Sequence, residues 1–155
     1  MKTNRPYQFL LKIIIFALIM SGIPLPTILL LASPFWILIF YVYWIIFFTA
    51  KGRLFLALII GLLIDILHGS LLGQNALALI LSSAFIINVK QSFYVSNIST
   101  QQIYVFAASA IYLLTFLLIH ILIQGLDFSW IVLLVPLTTS LFWQPVKFIL
   151  TKLRH

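Results

Sequence analysis

Long apolar runs separated by short polar or basic segments dominate this chain of 155 residues. A helix needs about 20 mostly apolar residues to cross a hydrocarbon core roughly 30 Å thick. By that measure we expect an all-α integral membrane protein, folded as one polytopic domain over residues 1–155. It would be a compact bundle of six transmembrane helices, with spans at about 9–23, 34–50, 54–68, 72–89, 103–123 and 130–150.

The third and fourth spans come from one apolar stretch that runs from Leu54 to Asn88. As a single straight helix it would be about 52 Å long, which is far more than a bilayer core requires. The stretch must therefore break, and the glycines and polar residues just after His68 offer the best position. We predict a hairpin of two short spans that turns around Gly69 and Gly73.

The remaining boundaries follow from prolines and polar segments. Pro24 and Pro26 end the first span, which we take as an uncleaved helix and not a signal peptide, and Pro34 opens the second. The most polar segment, Gln91 to Gln101, is predicted to be a loop. A turn is expected at 125–127.

The basic residues indicate how the bundle is oriented. The chain has nine Lys and Arg residues and only two acidic residues, which gives a net charge of +7. Six spans place both tails, the 51–53 turn and the loop after the fourth span on one side, which the positive-inside rule assigns to the cytoplasm. Both termini would then be cytoplasmic, in an inner-membrane protein. The residues expected to set this topology and contact anionic lipids are Lys51, Arg53, Lys90, Lys152 and Arg154.

Composition excludes several other classes of protein. Hydrophobic residues make up 64% of the chain and charged residues 7%, against about a quarter charged in soluble domains. The cations are too few and too scattered for nucleic-acid binding. Cysteine and glutamate are absent, and Asp127 falls in a turn outside the core, so no pair of facing carboxylates is available. We therefore expect no catalytic activity, no metal and no cofactor.

Asp65 is the most informative residue, because a carboxylate near a bilayer centre costs about 3 kcal/mol and rarely lacks a partner. Gly61 and Gly69 lie four residues to either side, on one helix face, and small residues at that spacing let another helix approach closely. Gly73 continues the spacing. His68, at i+3, is a candidate to share a proton or form an ion pair with Asp65.

Three interpretations of Asp65 remain open. It could be a structural link to His68, to Gln74 or Asn75, or to backbone amides at the hairpin turn. It could be part of a proton or ion relay, or it could anchor a transmembrane helix of a partner protein. Elsewhere, Tyr41, Tyr43 and Trp44 are expected to pack against neighbouring spans, because their polar groups need partners.

The segment from Gly61 through Asp65 and Gly69 to Gly73-Gln-Asn-Ala-Leu77 resembles the signature of the bacterial rod shape-determining protein MreD family. Further features agree in order along nearly the whole chain: Pro24-Leu-Pro26, Pro34-Phe-Trp36, Tyr43-Trp44, Trp143 with a following proline, and the basic tail.

The resemblance implies a non-enzymatic inner-membrane subunit of the cell-wall elongation machinery. Its implied partners are MreC, the actin-like MreB at the cytoplasmic face, and peptidoglycan synthases. We hypothesise that the Gly61/Asp65/Gly69 face receives a partner helix, or else fixes the hairpin that presents such a surface.

The alternative is a substrate-capturing subunit of an energy-coupling-factor vitamin transporter. Such a subunit needs a polar pocket near the outer face. The candidate residues for it are Asp65, His68, Gln74, Asn75, Gln124 and Asp127.

Overall fold

A computed structural model describes residues 6–22, 26, 35–48, 51–69, 71–126 and 130–154. Over these residues the chain is helical, which confirms the predicted all-α class. The helices are α1 (Pro6–Ser21), α2 (Trp36–Phe47), α3 (Arg53–His68), α4 (Gln74–Asn88), α5 (Lys90–Val95), α6 (Ile98–Gln124) and, after a 3-10 turn at Trp130–Leu134, α7 (Val135–Arg154).

In the described part of the chain, two helical segments are long and apolar enough to cross a membrane by length and composition, Ile98–Gln124 and Trp130–Leu153. Shorter apolar helices occupy Pro6–Met20, Trp36–Phe47 and Gln74–Asn88. The helices follow the order of the predicted spans. The count of six spans and the cytoplasmic termini stay predictions.

The predicted break after His68 is confirmed. Helix α3 ends at His68, and α4 begins at Gln74. Gly69 adopts the left-handed conformation (φ 63°), which glycine reaches without the steric cost that a Cβ atom imposes, and this ends the helix. The two helices then run back along each other as a hairpin.

Helix α2 forms the centre of the bundle. Every residue from Leu38 to Ile46 is buried, as expected for a helix that is apolar on all sides. The polar tips of its aromatic residues find partners on other elements: Tyr41 donates to the Arg53 carbonyl, Trp44 Nε1 donates to the Pro6 carbonyl (2.8 Å), and the Tyr43 hydroxyl lies 3.2 Å from Thr151 Oγ1. The predicted packing of these aromatics is confirmed.

The predicted loop over Gln91–Gln101 is wrong. This segment contains the short helix α5 and the first turn of α6, which begins at Ile98 and not near residue 103. Asn97 starts α6 by accepting the backbone N–H of Thr100 on its side-chain oxygen at 3.1 Å. Polar residues of this segment cap a helix, as Asn97 does, or form buried hydrogen bonds, as Gln101 does. A high content of polar residues therefore did not indicate a loop.

Some predicted features lie outside the described residues. These are Pro24, Pro34, Asp127 and Ser70, which is one of the polar residues just after His68. Pro145 lies inside α7, within the bounds of the predicted sixth span, and Arg154 ends that helix.

Candidate functional site

Asp65 lies in the last turn of α3 and is 1% exposed. Its Oδ2 atom accepts the backbone N–H of Gly73 at 2.8 Å. Its Oδ1 atom accepts both the backbone N–H (3.1 Å) and the side-chain Nδ2 (2.7 Å) of Asn75. The first backbone N–H groups of a helix lack partners within that helix, and a negative charge there is favourable. Asp65 therefore caps α4 from the neighbouring helix, supplying the acceptor that Gly73, the N-cap residue, lacks.

The contacts of Asn75 extend this arrangement to a third helix. Asn75 Oδ1 accepts the hydroxyl of Tyr112, on α6, at 2.5 Å. Beside it, Gln74 Nε2 donates to the Phe116 carbonyl, also on α6, at 3.0 Å. Asp65, Gly73, Asn75 and Tyr112 are called the Asp65 cluster below. The cluster joins α3, α4 and α6 through hydrogen bonds that are buried, apart from the part-buried bond between Gly73 and Asp65.

Gly61, one turn before Asp65, allows this close approach. A Cβ atom at position 61 would lie 2.2 Å from the Ala76 Cα and 2.6 Å from its backbone nitrogen. Because these are backbone atoms of α4, they cannot move aside without displacing the helix. The small-residue contact expected at Gly61 is therefore made within the chain, with the other arm of the hairpin.

The expectation that Gly61 and Gly69 lie on one helix face is wrong. Gly69 follows the last residue of α3, so the four-residue spacing leaves the helix at that point. Gly69 and Gly73 both have positive φ angles (63° and 93°), and a Cβ on either would meet nothing within 4 Å. These two glycines shape the turn, whereas Gly61 makes the tight packing contact.

His68 is exposed, in contrast to the buried Asp65 beside it. The donors that reach Asp65 at Gly73 and Asn75 come from the start of α4. Of the proposed links for Asp65, the geometry supplies those to Asn75 and to backbone amides at the turn. Tyr112 was not predicted; a tyrosine within a long apolar helix, whose hydroxyl needs a partner, was the available signal.

The described residues suggested for a vitamin pocket divide between buried and exposed positions. Asp65, Gln74 and Asn75 are buried and bonded within the chain. Gln124 is exposed at the end of α6, and Asp127 lies outside the described residues.

The end of the bundle away from Asp65 holds several basic residues. Lys90 Nζ donates to the Phe48 carbonyl at 3.3 Å, and the Tyr7 hydroxyl donates to the Lys51 carbonyl at 3.4 Å. Together with the Tyr41–Arg53 contact, these bonds bring the start of α1, the turn before α3 and the start of α5 to one end. This region, with Lys147 and Lys152 on the last turns of α7, is called the cationic end.

Gln101 organises part of the cationic end and was missed as a site residue. It is 3% exposed, and its Oε1 atom accepts Lys147 Nζ (2.8 Å) and Trp143 Nε1 (3.3 Å). Its Nε2 atom donates to the carbonyls of Phe93 and Ser96. Lys152 is exposed, with its Nζ atom 4.5 Å from the centre of the Phe148 ring.

Among the described residues, no acid lies near the charges at this end. Asp65 is the acidic residue that the structure describes, and it lies 12 residues beyond Arg53, about 18 Å along α3. Burial, followed by the nearby charge of Arg53, lowers the pKa of Lys90.

Comparison with known protein families shows which family the chain belongs to. The sequence model of the family described as rod shape-determining protein MreD matches residues 3–153. The chain belongs to the MreD family. No curated protein and no solved structure matches it.

The match covers both the Asp65 cluster and the cationic end, and it confirms the resemblance first drawn from the Gly61–Leu77 segment. Membership indicates a role in rod shape determination. In this MreD-family chain one carboxylate oxygen of Asp65 accepts a hydrogen bond from Gly73, the N-cap of α4, and the other accepts from Asn75 in its first turn. Among the described residues, no group of three potential metal ligands occurs. The chemistry that the cluster performs most directly is to hold three helices in register.

Proposed function

We propose that this MreD-family chain is a non-catalytic scaffold subunit of the bacterial cell-wall elongation complex. The family match over residues 3–153 carries the proposal. It is supported by a helical bundle with apolar flanks, in which Lys51, Arg53, Lys90, Lys147 and Lys152 lie at one end. In the proposed orientation the bundle crosses the inner membrane six times, with its cationic end in the cytoplasm.

The proposed mechanism is that the Asp65 cluster keeps the α3–α4 hairpin rigid, so that its outer surface can serve as a docking face. The inner face at Gly61 is already occupied by Ala76, which favours the hairpin-fixing form of the hypothesis over direct reception of a partner helix there. The outward positions of the hairpin are large, apolar and exposed: Leu63, Ile66, Leu67, Leu72 and Leu77.

The partners follow from the family and from charge. MreC is proposed to pack its transmembrane helix against the apolar flank, and MreB and the peptidoglycan synthases are proposed to join the same complex. The cationic end would contact anionic lipids and MreB at the cytoplasmic face, with Lys51, Arg53, Lys90, Lys152 and Arg154 as the contributing residues.

The test is complementation in rod-shaped bacteria depleted of their own MreD protein. Asp65→Leu removes the shared acceptor, so α4 loses its cap, and we expect reduced capture of MreC in a pull-down and rounded cells. His68→Ala, three residues away but exposed, is the matched control and should preserve the rod shape. If Asp65→Leu inserts at the normal level, retains MreC and keeps the rod shape, the proposed mechanism fails.

A further inference from the structure

A groove of about 520 Å³ lies between the start of α6 and the last turns of α7, and it is called the α6/α7 groove below. Positions 144, 147, 148 and 151 recur every three or four residues, so they share one face of α7. The residues that line the groove are Ile98 on α6 and Gln144, Pro145, Lys147, Phe148 and Thr151 on α7.

Lys147 gives this groove a positive charge. It lies within Trp130–Leu153, a segment long and apolar enough to cross a membrane. Lys147 is half-buried, and its Nζ atom donates to Gln101 Oε1 at 2.8 Å in a part-buried bond. An ammonium group carries three protons, so this bond leaves others for a ligand in the groove.

Gln101 fixes the position of that charge. It is buried, and its Nε2 atom donates to the carbonyls of Phe93 (3.2 Å) and Ser96 (3.1 Å). Because the other end of the amide is bonded in this way, Oε1 holds the lysine at the wall of the groove. A side chain that is already held in place loses less conformational freedom when it binds a ligand.

The described residues place no counter-charge beside Lys147. Asp65, the acidic residue that the structure describes, is bonded to Gly73 and Asn75 away from the cationic end. A charge within a membrane-spanning segment usually has a partner. Lys152 adds a second cation next to the groove, with its Nζ atom 4.5 Å from the centre of the Phe148 ring. The α6/α7 groove therefore favours an anionic occupant.

The other walls indicate that this anion carries apolar chains. Ile98 is 40% exposed and Phe148 is 62% exposed, and Pro145 is also exposed. Gln144, one turn before Phe148, adds an exposed amide deeper in the Trp130–Leu153 segment. A matching ligand combines a negatively charged group at Lys147, a polar group beside it and an apolar part along the helices.

We propose that the α6/α7 groove binds an anionic phospholipid. Its phosphate accepts hydrogen bonds from Lys147, and an acyl chain lies along Ile98, Pro145 and Phe148. The Gln144 amide donates to an ester carbonyl, the polar group that joins phosphate and chain in such a lipid. A hydrogen bond between an ammonium group and a phosphate is charge-assisted, which makes it roughly twice as strong as a neutral one.

This inference deepens the general lipid contact in the proposed function, and it rests on the placing of the cationic end at the membrane surface. It does not depend on the shape-determining role, because binding is measured on the purified protein in detergent. A failure of complementation would leave it intact, and its own failure would leave the scaffold proposal intact.

The experiment measures binding of phosphatidylglycerol and of phosphatidylcholine to the full chain by native mass spectrometry. We expect saturable binding that is tighter for phosphatidylglycerol. Lys147→Met removes the ammonium group but keeps an unbranched side chain, and it should weaken the binding of phosphatidylglycerol about tenfold, since a hydrogen bond to a charged group is lost. Lys147→Arg keeps the charge and should retain most of the affinity.

Lys51→Gln is the matched control, because Lys51 is an exposed cation at the same end and lies outside the lining of the groove. It should leave the affinity nearly unchanged. Equal losses in Lys51→Gln and Lys147→Met would mean unspecific surface attraction and would overturn the proposal. Unchanged binding in Lys147→Met, or equal binding of the two lipids, would overturn it as well.

Ile98→Glu tests the groove while Lys147 stays in place. Ile98 is the first residue of α6 and is partly exposed, and an acidic residue is favourable at a helix N-terminus, so the variant should fold. Its carboxylate would supply the missing counter-charge and repel the phosphate, so the affinity should fall about tenfold or more. Ile98→Gln should preserve binding. The same affinity in both variants would contradict the assignment.

Two further outcomes would assign the groove to a different ligand and overturn the proposal. Inorganic phosphate that competes as well as phosphatidylglycerol would show that the site takes the free anion and not the lipid. Lys147→Met that keeps its lipid but loses MreC in a pull-down would assign the lysine to a partner protein. Folding of each variant is checked by circular dichroism, and Ile98→Glu provides the reading if Lys147→Met does not fold.

Discussion

The Asp65 cluster and the cationic end treat charge in opposite ways. At Asp65 one buried acid is surrounded by donors from Gly73 and Asn75, so its negative charge is compensated inside the protein. At the cationic end the donors bond to neutral carbonyls and to one amide oxygen. The Asp65 cluster uses its charge to hold helices together, whereas no acid among the described residues compensates the charges of the cationic end.

From this difference we expect substitutions in the Asp65 cluster to disturb mainly the fold, and substitutions at the cationic end to disturb mainly binding. Asp65, Asn75 and Tyr112 are buried, so the loss of one of their hydrogen bonds leaves an unsatisfied group in an apolar interior where water is not available as a replacement. At the cationic end most cations can reach solvent or lipid headgroups. Five predictions, all measured as the free energy of unfolding in detergent, test this division.

The largest effect is expected for Gly61→Leu. Its Cβ would fall 2.2 Å from the Ala76 Cα, so the hairpin must separate, at a cost of about 3 kcal/mol or more. Leu63→Ala, on the exposed side of the same helix, should change stability by about 0.5 kcal/mol or less. Because the clash is with backbone, Ala76→Gly should not rescue Gly61→Ala; a rescue would contradict this account.

Asp65→Leu should cost about 3 kcal/mol, because it leaves the two backbone N–H groups and the Asn75 amide without their acceptor. Asp65→Asn keeps one acceptor oxygen and should be milder. His68→Ala should fall within about 0.5 kcal/mol of the unmodified protein. Equal stability of the Asp65→Leu and His68→Ala variants would remove the structural role assigned to Asp65.

Gln101→Leu tests whether the cationic end also depends on a buried polar group. It removes the acceptor of Trp143 and Lys147, but the lysine can turn toward solvent, so we expect a loss of about 2 kcal/mol. A loss clearly greater than that of Asp65→Leu would mean that the two ends do not differ as described.

Tyr112→Phe removes one hydroxyl from the Asp65 cluster and leaves the ring in place. The expected cost is about 1.5 kcal/mol, because Asn75 Oδ1 loses a buried donor. Tyr104→Phe, on the same helix, is the control and should be nearly neutral. If both variants behave alike, the hydroxyl of Tyr112 contributes nothing specific.

The smallest loss of stability is expected at the turn glycines, and it should be about the same near the Asp65 cluster as at the cationic end. Gly69 (φ 63°) and Gly52 (φ 70°) are both left-handed with open space around a Cβ atom. Substitution of either by alanine should cost about 1 kcal/mol from backbone strain alone. Gly69→Ala approaching the cost of Gly61→Leu would show that the turn also packs against something.

Much of this protein follows from its sequence alone. A bilayer requires long apolar helices, so composition and run length determined the all-α class, and the excess length of the Leu54–Asn88 run determined that it breaks after His68. The chemistry of one acid in an apolar run singled out Asp65, and the Gly61–Leu77 segment indicated the family. These inferences depend on local composition and on costs that hold for any bundle.

The partners of those residues were decided by tertiary structure. Two glycines eight residues apart share a helix face if the helix includes both of them. This helix ends at His68, so Gly69 does not share the face of Gly61. The polar 91–101 segment became helix because Asn97 caps α6 and Gln101 finds buried partners on α7. Which donor bonds to which acceptor depends on how helices that are distant in sequence pack together. The spacing of residues along the chain does not give the distance between them in the folded protein.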